Sequence, residues 1–192
     1  MKVGLMGKTA LLVMDYQIDI LKIVEVQSQV LLANTKSLIQ AGRSQKAPVI
    51  YVQVAFRSGY PEVSPNNKSF AALKTSDRML LKNPGTAMHP EVAPAKDEVI
   101  VIKQRVGPMI GTDLPTILRA QGIEHLVLAG ISSSGVVLST VRAAADLDFA
   151  ITVVSDACAD ADEEVHRVLM EKIFPRQANV TKTETALKLF NS

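Results

Sequence analysis

Short apolar runs alternate along this chain with longer segments in which apolar residues recur at threes and fours. Apolar runs without polar interruption, rich in valine, isoleucine and leucine, are typical of strands that are buried on both faces of a parallel sheet. The pattern predicts six strands, over residues 10–14, 48–56, 98–102, 126–129, 151–154 and 179–181.

The segments between the apolar runs have the spacing of amphipathic helices. They predict helices over residues 18–43, 68–75, 114–121, 136–148, 163–173 and 183–190. Strands that alternate with helices indicate a doubly wound α/β fold, with a Rossmann-like, six-stranded, mainly parallel sheet and helices on both faces. Because no repeat or linker interrupts the alternation, we expect a single domain over residues 1–192.

Residues 57–97 do not follow the alternation. Glycines and prolines punctuate this segment, at Gly59, Pro61, Pro65, Pro84, Gly85, Pro90 and Pro94. An irregular excursion of this length inside a compact domain usually carries function or an interface. We therefore expect residues 57–97 to contribute to one or the other.

Composition narrows the classes of partner. The formal net charge is +2 and the basic residues are scattered, so nothing indicates a nucleic-acid surface. No run approaches the roughly 20 apolar residues that span a bilayer. The lone Cys158 excludes an intrachain disulfide, which favours a reducing compartment. The start of the chain lacks a signal-peptide pattern, so we expect a cytoplasmic protein, with export by another route left open.

Candidate chemistry lies where predicted strands end. Asp15, Arg57 and Lys103 each follow an apolar run, and the glycine-rich turn at residues 132–135 follows the fourth strand. Ligands of open parallel sheets bind beyond the carboxyl ends of the strands, so these groups are expected to face one crevice. An acid and an amine in one apolar crevice shift each other's pKa, a situation that active sites exploit. This pattern predicts a site but not a reaction.

Other functional patterns are missing. No G-x-G-x-x-G follows the first strand, so a dinucleotide cofactor is not expected. His89, His125 and His166 are too scattered for a metal site and are interpreted as surface or capping residues. Cys158 could act as a nucleophile, but a lone cysteine is more often a small buried apolar residue, and we favour that interpretation.

Five motifs in order resemble one family. They are LLVMDYQ at residues 11–17, VIK at 101–103, GTDL at 111–114, LAGISS at 128–133 and DACAD at 156–160. Together they resemble the isochorismatase-like hydrolases, a superfamily that also holds nicotinamidases and N-carbamoyl amide hydrolases. The resemblance covers nearly the whole chain and implies the same α/β fold, with a cis peptide in the turn after the fourth strand.

The chain departs from the amide-hydrolysing members of the family at one position. Those members carry a nucleophilic cysteine at the start of the helix after the turn, where this chain has Val136. Valine has no nucleophilic atom, so the resemblance excludes a thioester at that position. The metal ligands of nicotinamidases are also missing after the second strand. True isochorismatases do without the cysteine and hydrolyse a vinyl ether.

The resemblance implies roles for individual residues. Asp15 is the expected general acid, and Lys103 is expected to orient it or to stabilise charge. Arg57 or Arg105 is expected to pair with a substrate carboxylate. The remaining residues expected to bind substrate or to hold its oxygen are Gln17, Ile131, Ser132, Ser133, Gly135 and Val136. No metal or cofactor is expected, the partner is a small molecule, and a dimer or tetramer of the chain is expected.

Two alternatives stay open at this point. One is an amide or carbamoyl hydrolase that uses Cys158 or a directly activated water. The other is a family member that binds a ligand or a partner protein without catalysis, which the valine at position 136 suggests.

Overall fold

The computed structural model describes residues 8–190. Its six strands form one sheet in which every neighbouring pair is parallel, in the order β3-β2-β1-β4-β5-β6. This confirms the predicted doubly wound α/β fold. The strands are β1 Lys8–Met14, β2 Val49–Val54, β3 Val99–Lys103, β4 Ile123–Ile131, β5 Ala150–Ala159 and β6 Asn179–Thr181.

Helices cover both faces of the sheet. Successive side chains of a strand point to opposite faces, so an apolar strand makes both faces of the sheet apolar and both must be covered. On β1, Leu12 and Met14 pack into one apolar core, and Leu11 and Val13 pack into the other. The helices are α1 Ile18–Leu21, α2 Ser28–Ser44, α3 Leu114–Ala120, α4 Leu138–Ala145, α5 Glu163–Val168 and α6 Thr183–Ala186. Helices α3, α4 and the turn after α5 contribute to the first core, and α2 and α6 contribute to the second.

Several predicted boundaries differ from the structure. The predicted helix at residues 18–43 is broken at Val24, whose backbone is not helical, so α2 starts only at Ser28. Strand β5 continues past the apolar run because Thr183 donates two hydrogen bonds to the Asp156 carboxylate, which satisfies that polar side chain. A π-helical turn, Ser133–Val137, precedes α4. Hydrophobic periodicity alone does not show these polar and backbone adjustments.

The helical structure in residues 57–97 is limited to short 3₁₀ turns, at Ala71–Thr75, Pro84–Thr86 and Pro90–Val92, in place of the predicted helix at 68–75. The segment has a small core of its own around Phe56, Tyr60 and Met79, and this core adjoins Val54 at the end of β2. The segment is thereby held against the carboxyl edge of the sheet.

The search for membrane-crossing helices within residues 8–190 finds none that is long and apolar enough.

Candidate active site

A cavity of about 380 Å³ lies beyond the carboxyl ends of β1, β2, β3 and β4. Strands β2 and β3 lie on one side of β1 and β4 lies on the other, so the cavity is at the switch in strand order. Its size falls near the low end of the range for small-molecule sites, about 300–1,000 Å³. It is lined by Asp15, Ile20, Ile23, Val54, Ser69, Phe70, Leu73, Arg78, Met79, Lys103, Val106, Ile131, Ser132, Gly135 and Val136.

An acid–amine pair occupies the base of the cavity. Lys103 is the last residue of β3, and Asp15 follows the last residue of β1. Their side chains meet across the end of β2, with Lys103 Nζ 2.8 Å from Asp15 Oδ2. The ammonium also donates to the backbone carbonyl of Arg105 at 3.2 Å. The predicted convergence of Asp15 and Lys103 is therefore seen in the geometry.

The backbone at Asp15 is in the left-handed region, with φ of 59°, a conformation that aspartate and asparagine tolerate better than most side chains. Its N–H still donates to Val52 of the neighbouring strand at 2.8 Å. The chain thus turns sharply just after β1 while Asp15 stays fastened to the sheet.

Burial governs the electrostatics of the pair. Asp15 is 4% exposed and Lys103 is 2% exposed. Burial raises the pKa of the Asp15 carboxyl above its usual range, and the nearby Lys103 ammonium opposes that rise. The second carboxyl oxygen, Asp15 Oδ1, has no hydrogen-bond partner among the residues that the structure describes. One oxygen of the acid is therefore held by Lys103, and the other is buried without a hydrogen bond from the described residues.

The turn after β4 forms a neighbouring wall. Its Ile131–Ser132 peptide is cis. A Cβ at Gly135 would lie 2.8 Å from Ser132 Oγ, so a larger residue at this position would require the Ser132 side chain to move. The Ser134 amide donates to Asp160 and the Gly135 amide donates to the Ser132 carbonyl, so neither is free to hold a substrate oxygen as expected. The Ser132 hydroxyl borders the cavity and makes no hydrogen bond within residues 8–190.

Val136 lies in the same wall and is 2% exposed. The described lining residues include no cysteine, so no thiol faces Asp15 and Lys103. Cys158 is buried in β5, where its thiol lies 3.8 Å from the carbonyl of Leu128. Burial raises the pKa of the Cys158 thiol to about 12, so it is not a thiolate at neutral pH. This geometry agrees with the interpretation of Cys158 as a small buried apolar residue.

Four of the expected binding residues are not brought to the cavity. Gln17 is fully buried, and its amide bonds to Val54 and Thr86, so it fastens residues 57–97 to the sheet. The guanidinium of Arg57 pairs with Glu62. The guanidinium of Arg105 donates to the carbonyls of Glu62 and Gln104.

The fourth is Ser133, which is buried and within hydrogen-bond distance of His166 Nδ1, at 2.8 Å. The interpretation of the histidines as surface or capping residues agrees with His89 and His166, which are both partly exposed, and the ring of His89 accepts from the amide of Glu91. It is wrong for His125. His125 is buried between Thr9 and Thr152, at the opposite end of the sheet from the cavity. The polar partners of His125 and His166 come from other elements, which their local sequence does not reveal. No cluster of possible metal ligands occurs within residues 8–190.

Sequence reasoning missed the outer wall of the cavity. Ser69, Phe70, Leu73, Arg78 and Met79 all come from residues 57–97. The only signal for them was the length of the irregular segment. Because that segment has no periodicity, the sequence does not indicate which of its side chains turn inward.

Comparisons with known proteins show which proteins this chain is similar to. The family model described as Isochorismatase domain matches residues 9–185. The isochorismatase family protein YwoC of Bacillus subtilis is 30% identical over 181 residues, which cover 94% of this chain and 93% of that protein. The ureidoacrylate amidohydrolase RutB of Stutzerimonas stutzeri is 30% identical, over 93% of this chain and 77% of that protein. The structure of a cysteine hydrolase from Pseudomonas syringae has the same fold, with a TM-score of 0.88, 21% identity, and coverage of 96% of this chain and 92% of that one.

Proposed function

This chain belongs to the isochorismatase family of hydrolases, and from that premise we propose that it hydrolyses the vinyl ether of a small carboxylated molecule, isochorismate or an analogue, with Asp15 and Lys103 and without a cofactor. The observation that carries the proposal is the state of the Asp15 carboxyl. It is buried, its pKa is raised, Lys103 fixes one oxygen, and the other oxygen has no partner within residues 8–190. Those are the properties that a general acid needs.

The chemistry would proceed in two stages. In the first, Asp15 gives its proton to the methylene carbon of the vinyl ether, which leaves a carboxylate beside the Lys103 ammonium and an oxocarbenium ion on the substrate. In the second, a water adds to the cationic carbon and returns a proton to Asp15. The resulting hemiketal breaks down to pyruvate and a ring alcohol, so the acid is regenerated and no covalent enzyme intermediate forms.

Lys103 has two opposing effects in this scheme. Its charge stabilises the carboxylate that Asp15 becomes in the first stage, at a distance of 2.8 Å. The same charge holds back the rise in the pKa of Asp15 that burial causes. The ammonium also fixes the direction of the carboxyl group, because its second bond, to the Arg105 carbonyl, ties it to the backbone.

The direct test is pyruvate release from isochorismate, followed by a coupled lactate dehydrogenase assay. Wild-type protein is expected to release pyruvate. Ligand binding in calorimetry without turnover of vinyl ethers, esters or amides would contradict the proposal and favour a family member that only binds.

Amide hydrolysis is the second candidate, because the relative RutB is named an amidohydrolase. In the thioester mechanism of the amide-hydrolysing members, a thiol must attack the carbonyl carbon. Here Val136 occupies the wall of the cavity, and the thiol of Cys158 is buried elsewhere. The geometry of the described residues therefore favours the vinyl ether reaction over a thioester.

Val136→Cys tests the second candidate. We expect wild-type protein to release no ammonia from N-carbamoylglycine and to keep full activity after iodoacetamide, because its single thiol does not border the cavity and burial raises the pKa of that thiol to about 12. The variant places a thiol in the cavity wall with Asp15 and the Lys103 ammonium, a charge that favours the thiolate, so we expect it to be alkylated and to gain ammonia release. Mass spectrometry locates the alkylated residue. Ammonia release by the wild type, or its inactivation by iodoacetamide, would contradict the assignment.

We also propose that the chain forms a homo-oligomer. Two grounds support this: the resemblance to the family and a group of exposed apolar side chains. Ile23, Val26 and Val30 are 50%, 95% and 62% exposed, which is unusual for three neighbouring apolar side chains. A monomeric mass in light scattering would contradict this. The cytoplasmic location, expected from the missing signal-peptide pattern and the single cysteine, stays a prediction.

A further inference from the structure

We infer that Gln17 is a positioning residue for the acid: its buried side chain accepts the Val54 N–H and thereby keeps that donor away from Oδ1 of the Asp15 carboxyl. This inference deepens the proposed function and rests on it for the reaction. The hydrogen-bond claim itself can be tested without turnover. It gives Gln17 a role other than the contact with substrate that is predicted from the sequence.

The pairing of β1 with β2 is interrupted at Asp15. In a parallel pair, alternate residues of a strand direct both of their backbone groups to the same neighbouring strand. Val52 accepts from the Asp15 N–H at 2.8 Å, so the backbone groups of Val54, two residues later, point to the same side of β2. The left-handed backbone at Asp15, with φ of 59°, turns the chain out of the sheet before it can pair with Val54.

The side chain of Gln17 takes the place of the missing strand. Its Oε1 accepts from the Val54 N–H at 2.9 Å, and its Nε2 donates to the Val54 carbonyl, also at 2.9 Å. The same Nε2 donates to the Thr86 carbonyl at 2.7 Å. Only this orientation of the amide matches each donor with an acceptor. Because Gln17 is fully buried and makes three hydrogen bonds, its side chain is fixed in one position.

The Val54 N–H matters because it lies beside the acid. Burial raises the pKa of the Asp15 carboxyl, and the Lys103 ammonium and, more weakly, the Val54 amide lower it. Asp15 Oδ1 nevertheless receives no hydrogen bond within residues 8–190, since the Val54 N–H is bonded to Gln17. A full hydrogen bond from a backbone N–H would stabilise the carboxylate and lower the pKa further. Gln17 therefore favours the protonated form that a general acid needs.

No other charged group at the cavity can replace Gln17 in this role. Besides Asp15, the charged residues among the described lining are Lys103 at the end of β3 and Arg78 in the segment after β2. The turn after β4 contributes no charged residue to that lining. Lysine and arginine side chains have no acceptor, so neither could bond to the Val54 N–H. If the Gln17 amide is removed, the acceptor beside this N–H is the Asp15 carboxyl.

Gln17→Met tests the inference, because methionine has a similar length but only a weak acceptor. The pH midpoint of the Asp15 carboxyl carbon, measured by NMR in ¹³C-labelled protein, is expected to lie at lower pH than in the wild type. On the alkaline side of the pH profile, kcat/KM for pyruvate release is expected to fall about tenfold, because less of Asp15 keeps its proton. This loss is expected to shrink toward acid pH.

Gln53→Met is the matched control. The Gln53 amide donates to the same Thr86 carbonyl, at 2.9 Å, so its removal also loosens the attachment of residues 57–97. In this variant Gln17 still accepts the Val54 N–H, and we expect the Asp15 midpoint to stay at its wild-type value. An equal shift in both variants would overturn the inference, because it would show that the attachment of the segment controls the acid.

A measurement on wild-type protein keeps the inference testable if Gln17→Met does not fold. Scalar couplings across hydrogen bonds connect an amide nitrogen with the carbonyl carbon that accepts its proton. We expect a coupling between the Val54 nitrogen and the side-chain carbonyl carbon of Gln17. A coupling to the Asp15 carboxyl carbon instead, or none to Gln17, would overturn the inference.

The outcomes separate the inference from the proposed function. A lower Asp15 midpoint in Gln17→Met alone, together with the coupling between Val54 and Gln17, supports the inference even if isochorismate is not hydrolysed. An unchanged midpoint in folded Gln17→Met overturns the inference, and pyruvate release by the wild type would still support the proposed reaction.

Discussion

Replacement of Asp15 by asparagine is expected to lower pyruvate release from isochorismate by about 10²- to 10⁴-fold, the usual contribution of a general acid. Asparagine has nearly the same shape and tolerates the left-handed backbone at this position, where φ is 59°. It has no acidic proton to give to the methylene carbon. The rate is measured by the coupled pyruvate assay, and circular dichroism checks that the fold is retained.

Asp97→Asn is the matched control, because Asp97 is an exposed aspartate outside the cavity and the change in formal charge is the same. We expect its rate to equal that of the wild type. If Asp15→Asn kept its fold and a rate within a few-fold of the wild type, Asp15 would not be the acid.

The second large effect is on stability. In Lys103→Met, the Asp15 carboxyl stays buried without the ammonium that now lies 2.8 Å away. Breaking a buried ion pair by removing one partner costs about 3–5 kcal/mol of the free energy of unfolding. In the double variant Asp15→Asn/Lys103→Met no charge is left behind, so its loss of stability is expected to be smaller than the sum of the two single losses. Urea unfolding of the four proteins measures this coupling.

The loss in Lys103→Met is expected to depend on pH. The ammonium lowers the pKa of Asp15 in the wild type, so its removal raises that pKa further above the ordinary value of 3.8. A carboxyl with a raised folded pKa stabilises the protein below the unfolded pKa, and that stability is lost as pH rises through the folded pKa. The loss should therefore be smallest near pH 4 and should grow toward neutral pH.

The exposed pair between Lys22 and Asp19 provides the control for this experiment. Its side chains are 68% and 17% exposed, so Lys22→Met is expected to cost less than about 1 kcal/mol at every pH. Additive losses for the Asp15 and Lys103 variants, or a loss in Lys103→Met no larger than that of Lys22→Met, would show that the pair is not coupled as described.

The sheet and the meeting of Asp15 with Lys103 could be predicted from the sequence for a simple physical reason. Strands buried on both faces must be apolar throughout, so their ends are visible where a polar residue follows. Asp15 and Lys103 stand at two such ends. Because parallel strands end at one edge of the sheet, their meeting follows from topology without any knowledge of the side chains.

The rest of the site depends on contacts that no local pattern shows. Arg57 and Arg105 are predicted from the sequence to pair with a substrate carboxylate, but the carboxylate and the backbone carbonyl of Glu62 occupy their guanidinium groups. Gln17 lies three residues after the end of β1 and is predicted from the sequence to bind substrate, but its amide bonds to Val54 and Thr86. Such partners come from distant parts of the chain, so only the folded structure reveals which polar groups are left free.

The central claim is that a buried Asp15 acts as an acid on a vinyl ether, and the pH dependence of kcat/KM for pyruvate release from isochorismate tests it most directly. Since the acid must be protonated to act, the rate is expected to fall as pH rises through the pKa of Asp15, which burial places above 3.8. The account predicts that wild-type protein releases pyruvate and that its kcat/KM falls with rising pH above that value. The residual kcat/KM of Asp15→Asn is expected to lack this fall. No pyruvate at any pH, or an identical profile in Asp15→Asn, would contradict it.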